Sequence, residues 1–191
     1  GTTPMSLRCD AGWAAGSIIA FVRDLAADIG GSQVATVGRI DFFPNLINVV
    51  PNRAVLTVDL RNTDEETLRR AESRLHLHLA DLRQAEGVAI TTRSLARFEP
   101  APFDSELNAR IERHAHAQGR STRRLPSGAG HDAQMLAAVC PTAMIFVPSV
   151  DGVSHNVQEF THPYHIEAGA NVLLSVLCEL AGAALPAGVH A

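Results

Sequence analysis

Val55-Leu56-Thr57-Val58-Asp59-Leu60-Arg61-Asn62-Thr63-Asp64 ends one periodicity and prepares another, and that change sets the fold. From Val55 to Arg61 the side chains alternate: Val55, Thr57, Asp59 and Arg61 take one face, and Leu56, Val58 and Leu60 the other. Period two with β-branched residues predicts a strand. The alternation extends backwards to predict one long or bent strand over residues 46–61. Asn62-Thr63-Asp64 turns the chain and ends in a residue suited to cap a helix. Residues 65–84 are then predicted helical, with Leu68, Leu75, Leu79 and Leu82 as the apolar stripe. Gly87 stops that helix, and residues 88–93 start another strand. Upstream, Ala14, Ile18, Val22, Leu25 and Ile29 recur at spacings of three and four, a helix over residues 10–29 closed by Gly30-Gly31. Residues 33–41 read as a strand, and Phe42-Phe43-Pro44-Asn45 as a turn.

The order helix, strand, strand, helix, strand is one strand short of a βαββαβ sandwich, with both helices on one face of an antiparallel sheet. The absent first strand is expected before Gly1. Gly1-Thr2-Thr3-Pro4-Met5 is not a usual translation start, so the natural N-terminus is expected upstream. A proline-flanked joint, Phe98-Glu99-Pro100-Ala101-Pro102-Phe103, marks a domain boundary between 1–99 and 100–191. Beyond it, residues 105–118, 132–139 and 166–184 read as helices. Residues 123–126 read as short and extended, 142–147 as a buried strand and 148–164 as a loop. That alternation suggests part of an α/β sheet, with too few elements to close a core alone.

Composition narrows the partners. The 191 residues are 46% hydrophobic and 19% charged, a globular mixture. Sixteen basic against twenty acidic residues give a net charge of −4, with no global field drawing the chain to nucleic acid or anionic lipid. No apolar run is long enough for a transmembrane helix. Cys9, Cys140 and Cys178 are odd in number and widely spaced. That argues against a disulfide framework or a zinc knuckle and suits a reducing, cytoplasmic compartment.

Three segments could carry chemistry. Ser127-Gly128-Ala129-Gly130-His131-Asp132 is a glycine-rich turn leading into a helix. Its glycines let the backbone approach a ligand, and the competing reading is a plain turn with Asp132 capping the helix. Ser154-His155-Asn156 follows the expected strand 142–147, where open α/β sheets gather their sites. His155 could bind metal or shuttle a proton, or be a surface histidine. Arg61, on an apolar strand, needs a partner. Asp59 or Asp41 could supply it internally, or Arg61 could offer its planar fork to a ligand carboxylate. His162 and His165 flank Pro163 and read as structural or rim residues. His76, His78, His114 and His116 read as solvated helix residues. No H-E-x-x-H, G-x-S-x-G or paired C-x-x-C occurs.

Taken together, these segments resemble a known family. Gly1-Thr2-Thr3-Pro4-Met5 with Arg8 and Asp10, Asn48-Val49-Val50-Pro51 before Asp59-Leu60-Arg61, Ser127 to Ala133, and Ser154-His155-Asn156 with Glu159 occur in the order found in M20-type amidohydrolases of the hydantoinase/carbamoylase group. That group contains N-carbamoyl-L-amino acid hydrolases, allantoate amidohydrolases and β-ureidopropionases. The resemblance implies a binuclear-metal enzyme that cleaves the carbamoyl C–N bond of N-carbamoyl amino acids or related ureido acids. It implies two divalent metal ions, zinc, manganese, cobalt or nickel, and a homodimer formed through a ferredoxin-like lid. Residues 1–99 would be most of the lid, and 100–191 the last part of the catalytic domain. His155 matches the last metal ligand. Asn48 and Arg61 match the lid residues that hold the substrate carboxylate, and a bend or bulge would let both grip one group. Gly130 matches a backbone contact to substrate, with His131 beside it, and Glu159 has no assigned role. The general base and the remaining ligands are expected before Gly1, so the fragment is expected to hold no complete metal centre, no catalytic base and no activity alone. The alternatives are another M20 aminoacylase or peptidase, and a non-catalytic dimerisation or binding module.

Overall fold

The computed structural model describes residues 1–182. The chain divides into two compact units, Gly1–Pro100 and Ala101–Ala191. In the first, helix α1 spans Ala11–Ile29. Asp10 starts it by accepting the N–H groups of Gly12 and Trp13 at 2.8 and 3.1 Å. Gly30, at φ 66, ends it in a backbone conformation that favours glycine. Strands β1 (Val34–Phe43) and β2 (Arg53–Arg61) pair antiparallel. Helix α2, Glu65–Glu86, begins where the Asp64 carboxylate accepts the Thr67 N–H at 2.8 Å and stops at left-handed Gly87.

Both helices cover one face of the two-stranded sheet. Ile18 and Val22 of α1 and Leu79 and Leu82 of α2 form the buried cluster, against Ala35, Val37, Leu56 and Val58. A β-bulge sits in β1, where Thr36 pairs with Asp59 but Arg39 pairs with Thr57. The extra residue shifts the inward parity of β1. Ala35 and Val37 are half-buried before the bulge, and Ile40 and Phe42 after it. β2 has no such shift, so Asp59 and Arg61 keep one outward face.

Two expected strand segments are corrected in this unit. Residues 46–52 are a turn-rich loop, not the start of β2, because Asn45 adopts φ 57 after Pro44 and the hairpin closes at Phe43 and Arg53. Residues 88–93 form no ladder. Among the described residues, β1 and β2 pair only with each other, and a strand needs a neighbour. Ile90 nonetheless packs against the core. The observed class is α+β.

In the second unit, α3 (Ser105–Ala117) packs on α5 (Pro163–Ala181), burying Ala115, Val172 and Val176. Buried Ser175 accepts from Gln118 Nε2 at 2.9 Å and donates to Asn171 O at 2.9 Å. A short helix α4 covers Asp132–Leu136, ending before the expected residue 139 in a tight turn. Residues 142–147 are not a strand, and no strand forms among the described residues of this unit. With no ladder partner, the segment is held otherwise. Thr142 O accepts the Asp104 N–H at 2.9 Å, and Val147 lies so near Gly169 that a Cβ there would stand 2.6 Å from it. Helix α5 begins at Pro163, three residues before expectation, because proline's fixed φ suits the first helical turn. The expected end of that helix, residues 183–184, lies outside the described residues. No helix among the described residues is long and apolar enough to cross a membrane.

Candidate functional site

Arg61 has an internal partner. Its Nε donates to Asp59 Oδ1 and Oδ2 at 3.1 and 3.0 Å, and Nη2 donates to Oδ2 at 2.6 Å. Two-residue spacing on one strand puts both groups on the same face. The bonded carboxylate raises the Arg61 pKa above its ordinary value, chiefly through the hydrogen bond and then through charge. Asp41, the other candidate partner, is taken by Arg39 at 2.8 Å. Both members of the Arg61–Asp59 pair keep about half of their side-chain surface, 50% and 48%, in solvent.

Asn48 is not near Arg61. It is exposed in the loop between β1 and β2, whereas Arg61 ends β2. The eight steps from Arg53 to Arg61 rise roughly 3.3 Å each, so the strand ends stand about 26 Å apart. The loop is tied to the first turn of α1, where the Ala11 N–H donates to Pro51 O. The other end of β2 is tied beside the C-terminus of α1, where Gln33 Nε2 donates to Arg61 O at 3.1 Å. The bulge thus does not bring the two side chains together.

In the second unit, Gly130 lies in open space, with no atom within 4 Å of a hypothetical Cβ. His131 is the N-cap residue of α4, with no side-chain cap, which corrects the placing of Asp132 in that position. Its Nε2 meets Ser127 Oγ at 2.9 Å, and its ring sits edge-on to Phe146 with centroids 5.6 Å apart. His155 is exposed and has φ 55, a left-handed conformation rare for a residue with a side chain. Its Nδ1 meets Ser154 Oγ at 2.9 Å, and its backbone N–H donates to Glu159 Oε2 at 2.8 Å. Ser127 thus hydrogen-bonds His131, and Ser154 and Glu159 hydrogen-bond His155. Adjacency of Ser to His is visible in the sequence, but the hydrogen bonds are not.

Other histidines make ring contacts or hydrogen bonds. His162 precedes α5 and stacks on Tyr164, which in turn tilts against His165. His78 is not merely solvated. It stacks on Phe21 at 4.1 Å, joining α2 to α1. His114 meets Glu179 Oε2 at 2.5 Å, and His116 meets Thr122 Oγ1 at 2.9 Å. Among the described residues, no group of three or more His, Cys, Asp or Glu side chains converges as a metal site. His155 does have the chemistry of one ligand. A metal-bound imidazole usually donates its second ring N–H to a neighbouring oxygen, and Ser154 is placed to accept it, leaving Nε2 for a metal.

Comparison with known proteins places the chain in a family. The model of peptidase family M20/M25/M40 matches residues 12–179. The chain belongs to this family. Within the M20 family, it is 36% identical over 95% of its length to the N-carbamoyl-L-amino-acid amidohydrolase of Rhizobium meliloti, of which it covers 44%. It is 35% identical, again over 95% of its length, to the allantoate amidohydrolase of Escherichia coli K12, covering 44% of that protein. A crystal structure of an amidase of the hydantoinase/carbamoylase family from Burkholderia vietnamiensis superposes with a TM-score of 0.88 at 39% identity. That match covers 94% of this chain and 43% of the solved one. The chain spans less than half the length of these M20 relatives.

Proposed function

We propose that this chain is part of a two-metal amidohydrolase that hydrolyses the carbamoyl C–N bond of N-carbamoyl amino acids or related ureido acids in the cytoplasm. The observation that carries this reading is His155. It is exposed on a braced loop, its Nδ1 tied to Ser154, in a chain similar to named N-carbamoyl-amino-acid and allantoate amidohydrolases. His155 would supply one imidazole to a divalent ion. Bound metals of this kind activate a water and polarise a carbonyl oxygen. Imidazole ligation suits zinc, manganese, cobalt or nickel. The remaining ligands and the general base are proposed to lie outside these residues, and the 191-residue piece is proposed to be inactive alone.

Residues 1–99 are proposed as a lid and 100–191 as part of the catalytic domain. Arg61 would bind the substrate carboxylate in exchange for Asp59. One carboxylate replaces another, and the exposed pair that opens is worth at most about 1 kcal/mol, so the exchange is cheap. The open backbone at Gly130 would let substrate lie against the chain, beside His131. A two-fold dimer is proposed, with Asn48 and Arg61 standing apart in each protomer. If both touch one substrate, they come from different protomers.

The test uses the full-length protein loaded with metal. N-carbamoyl amino acids and allantoate are supplied and ammonia release is followed. Turnover of at least one ureido acid is expected, with activity abolished in His155→Ala. Absence of turnover on every ureido acid would sink the proposal.

A further inference from the structure

We propose that Glu159 is a positioning residue for His155, and the inference rests on the reading of His155 as a metal ligand. The His155 backbone sits at φ 55, an uncommon conformation for a residue with a side chain, and a hydrogen bond there favours it. The hydrogen bond from the His155 N–H to Glu159 Oε2, at 2.8 Å, is made to a carboxylate and is charge-assisted. The chain between the two residues is folded to make that bond possible. Asn156 Oδ1 accepts the Gln158 N–H at 2.9 Å, and Asn156 O accepts the Glu159 N–H at 3.0 Å. The turn therefore returns the Glu159 side chain to the amide four residues before it. Ser154 Oγ then sets the ring through Nδ1. Glu159 fixes the backbone, Ser154 fixes the imidazole, and Nε2 takes one direction.

The loop is exposed throughout, from Ser154 to Phe160. An amide released there is rehydrated at once, so losing Glu159 should cost little stability. What is lost is the pre-set direction of the imidazole, because the backbone at residue 155 relaxes to ordinary negative φ. A contact beyond the ligand itself typically governs metal affinity by about 10–100-fold. A merely structural contact would move the melting temperature and leave affinity alone.

The experiment strips full-length wild type, Glu159→Ala, Glu159→Gln and His155→Ala of metal. Zn²⁺ is then titrated against a chromophoric chelator, and the melting temperature of each metal-free protein is recorded. Glu159→Ala is expected to bind the ion held by His155 about tenfold or more weakly, with its metal-free melting temperature unchanged. Glu159→Gln keeps an oxygen that accepts the N–H and is expected to recover most of the affinity. Wild-type affinity in Glu159→Ala, alongside weakened binding in His155→Ala, overturns the positioning role and leaves the ligand reading intact. Wild-type affinity in His155→Ala overturns the ligand reading itself. If Glu159→Ala melts early, affinity is read below its melting point and on Glu159→Gln. Wild-type values in both variants overturn the proposal.

Discussion

Arg61 and Asp59 make a forked ion pair on the outward face of β2, and its exposure allows structure and function to be separated there. An exposed pair contributes roughly 0–1 kcal/mol, so Arg61→Lys should leave the melting temperature nearly unchanged. Lysine keeps the charge but loses the planar fork that matches a carboxylate. If Arg61 binds substrate, the same substitution should cost about 1.5–3 kcal/mol, one to two decades in kcat/KM on an N-carbamoyl amino acid. Wild type should prefer the acid to its carboxamide analogue, and the variant should lose most of that preference. Equal preference in both proteins would remove the clamp role.

Helix α2 shows how much of an element is written locally. Asp64, the leucine stripe and Gly87 mark its start, buried face and stop, and each works as the sequence suggests. The Asp64 carboxylate is held below its ordinary 3.8, first by its hydrogen bond to Thr67. Glu65 is likewise lowered from 4.5, first by Arg97, and Glu112 by Arg124. Depressed carboxylates bind fewer protons folded than unfolded, so stability rises with pH in this range. Their contribution is complete above the ordinary values and is lost as pH falls through the lowered ones. The urea midpoint should therefore be flat near neutrality and fall as pH drops below about 4.5. Asp64→Asn, which still caps but does not titrate, should shallow that fall. A midpoint that rises between pH 5 and 3 would contradict the assignment. Helix α1 supplies a core test. Leu25 is 1% exposed, and Leu25→Ala should cost about 2–5 kcal/mol, read as a lower urea midpoint.

In the whole molecule, the distance along β2 limits how Asn48 and Arg61 can act. Asn48 lies in the loop that leads into β2 and Arg61 ends that strand, so the two cannot share one small carboxylate in a single chain. A two-fold dimer that lends Asn48 to its partner's site makes a specific prediction. Asn48→Ala and Arg61→Lys should each depress activity, and subunit exchange between the two variants should restore it. Random mixing makes half of the dimers mixed, and each mixed dimer has one intact site, so recovery approaches about a quarter of wild type. Both residues acting from one chain would give no recovery. Light scattering of the full-length protein should report a dimer at micromolar concentration, and a monomer there would exclude the shared site.

Local chemistry was enough for the parts of this protein whose partners are close in sequence. Gly30 ends α1, Asp64 and Gly87 bound α2, and period-two alternation marks β2, because caps and periodicity act over a few residues. The motif set also carries the family, since its residues follow one another in order along the chain. Residues 88–93 and 142–147 are apolar enough to suggest strands, but a ladder needs a neighbour that local sequence cannot supply. Asp59 and Asp41 were equal candidates for Arg61 until spatial pairing gave Asp41 to Arg39. The left-handed backbone of His155 is set by Glu159 closing a turn, and the parting of Asn48 from Arg61 by the straight run of a strand. Those are facts of distance and direction, which arise only when the chain is folded.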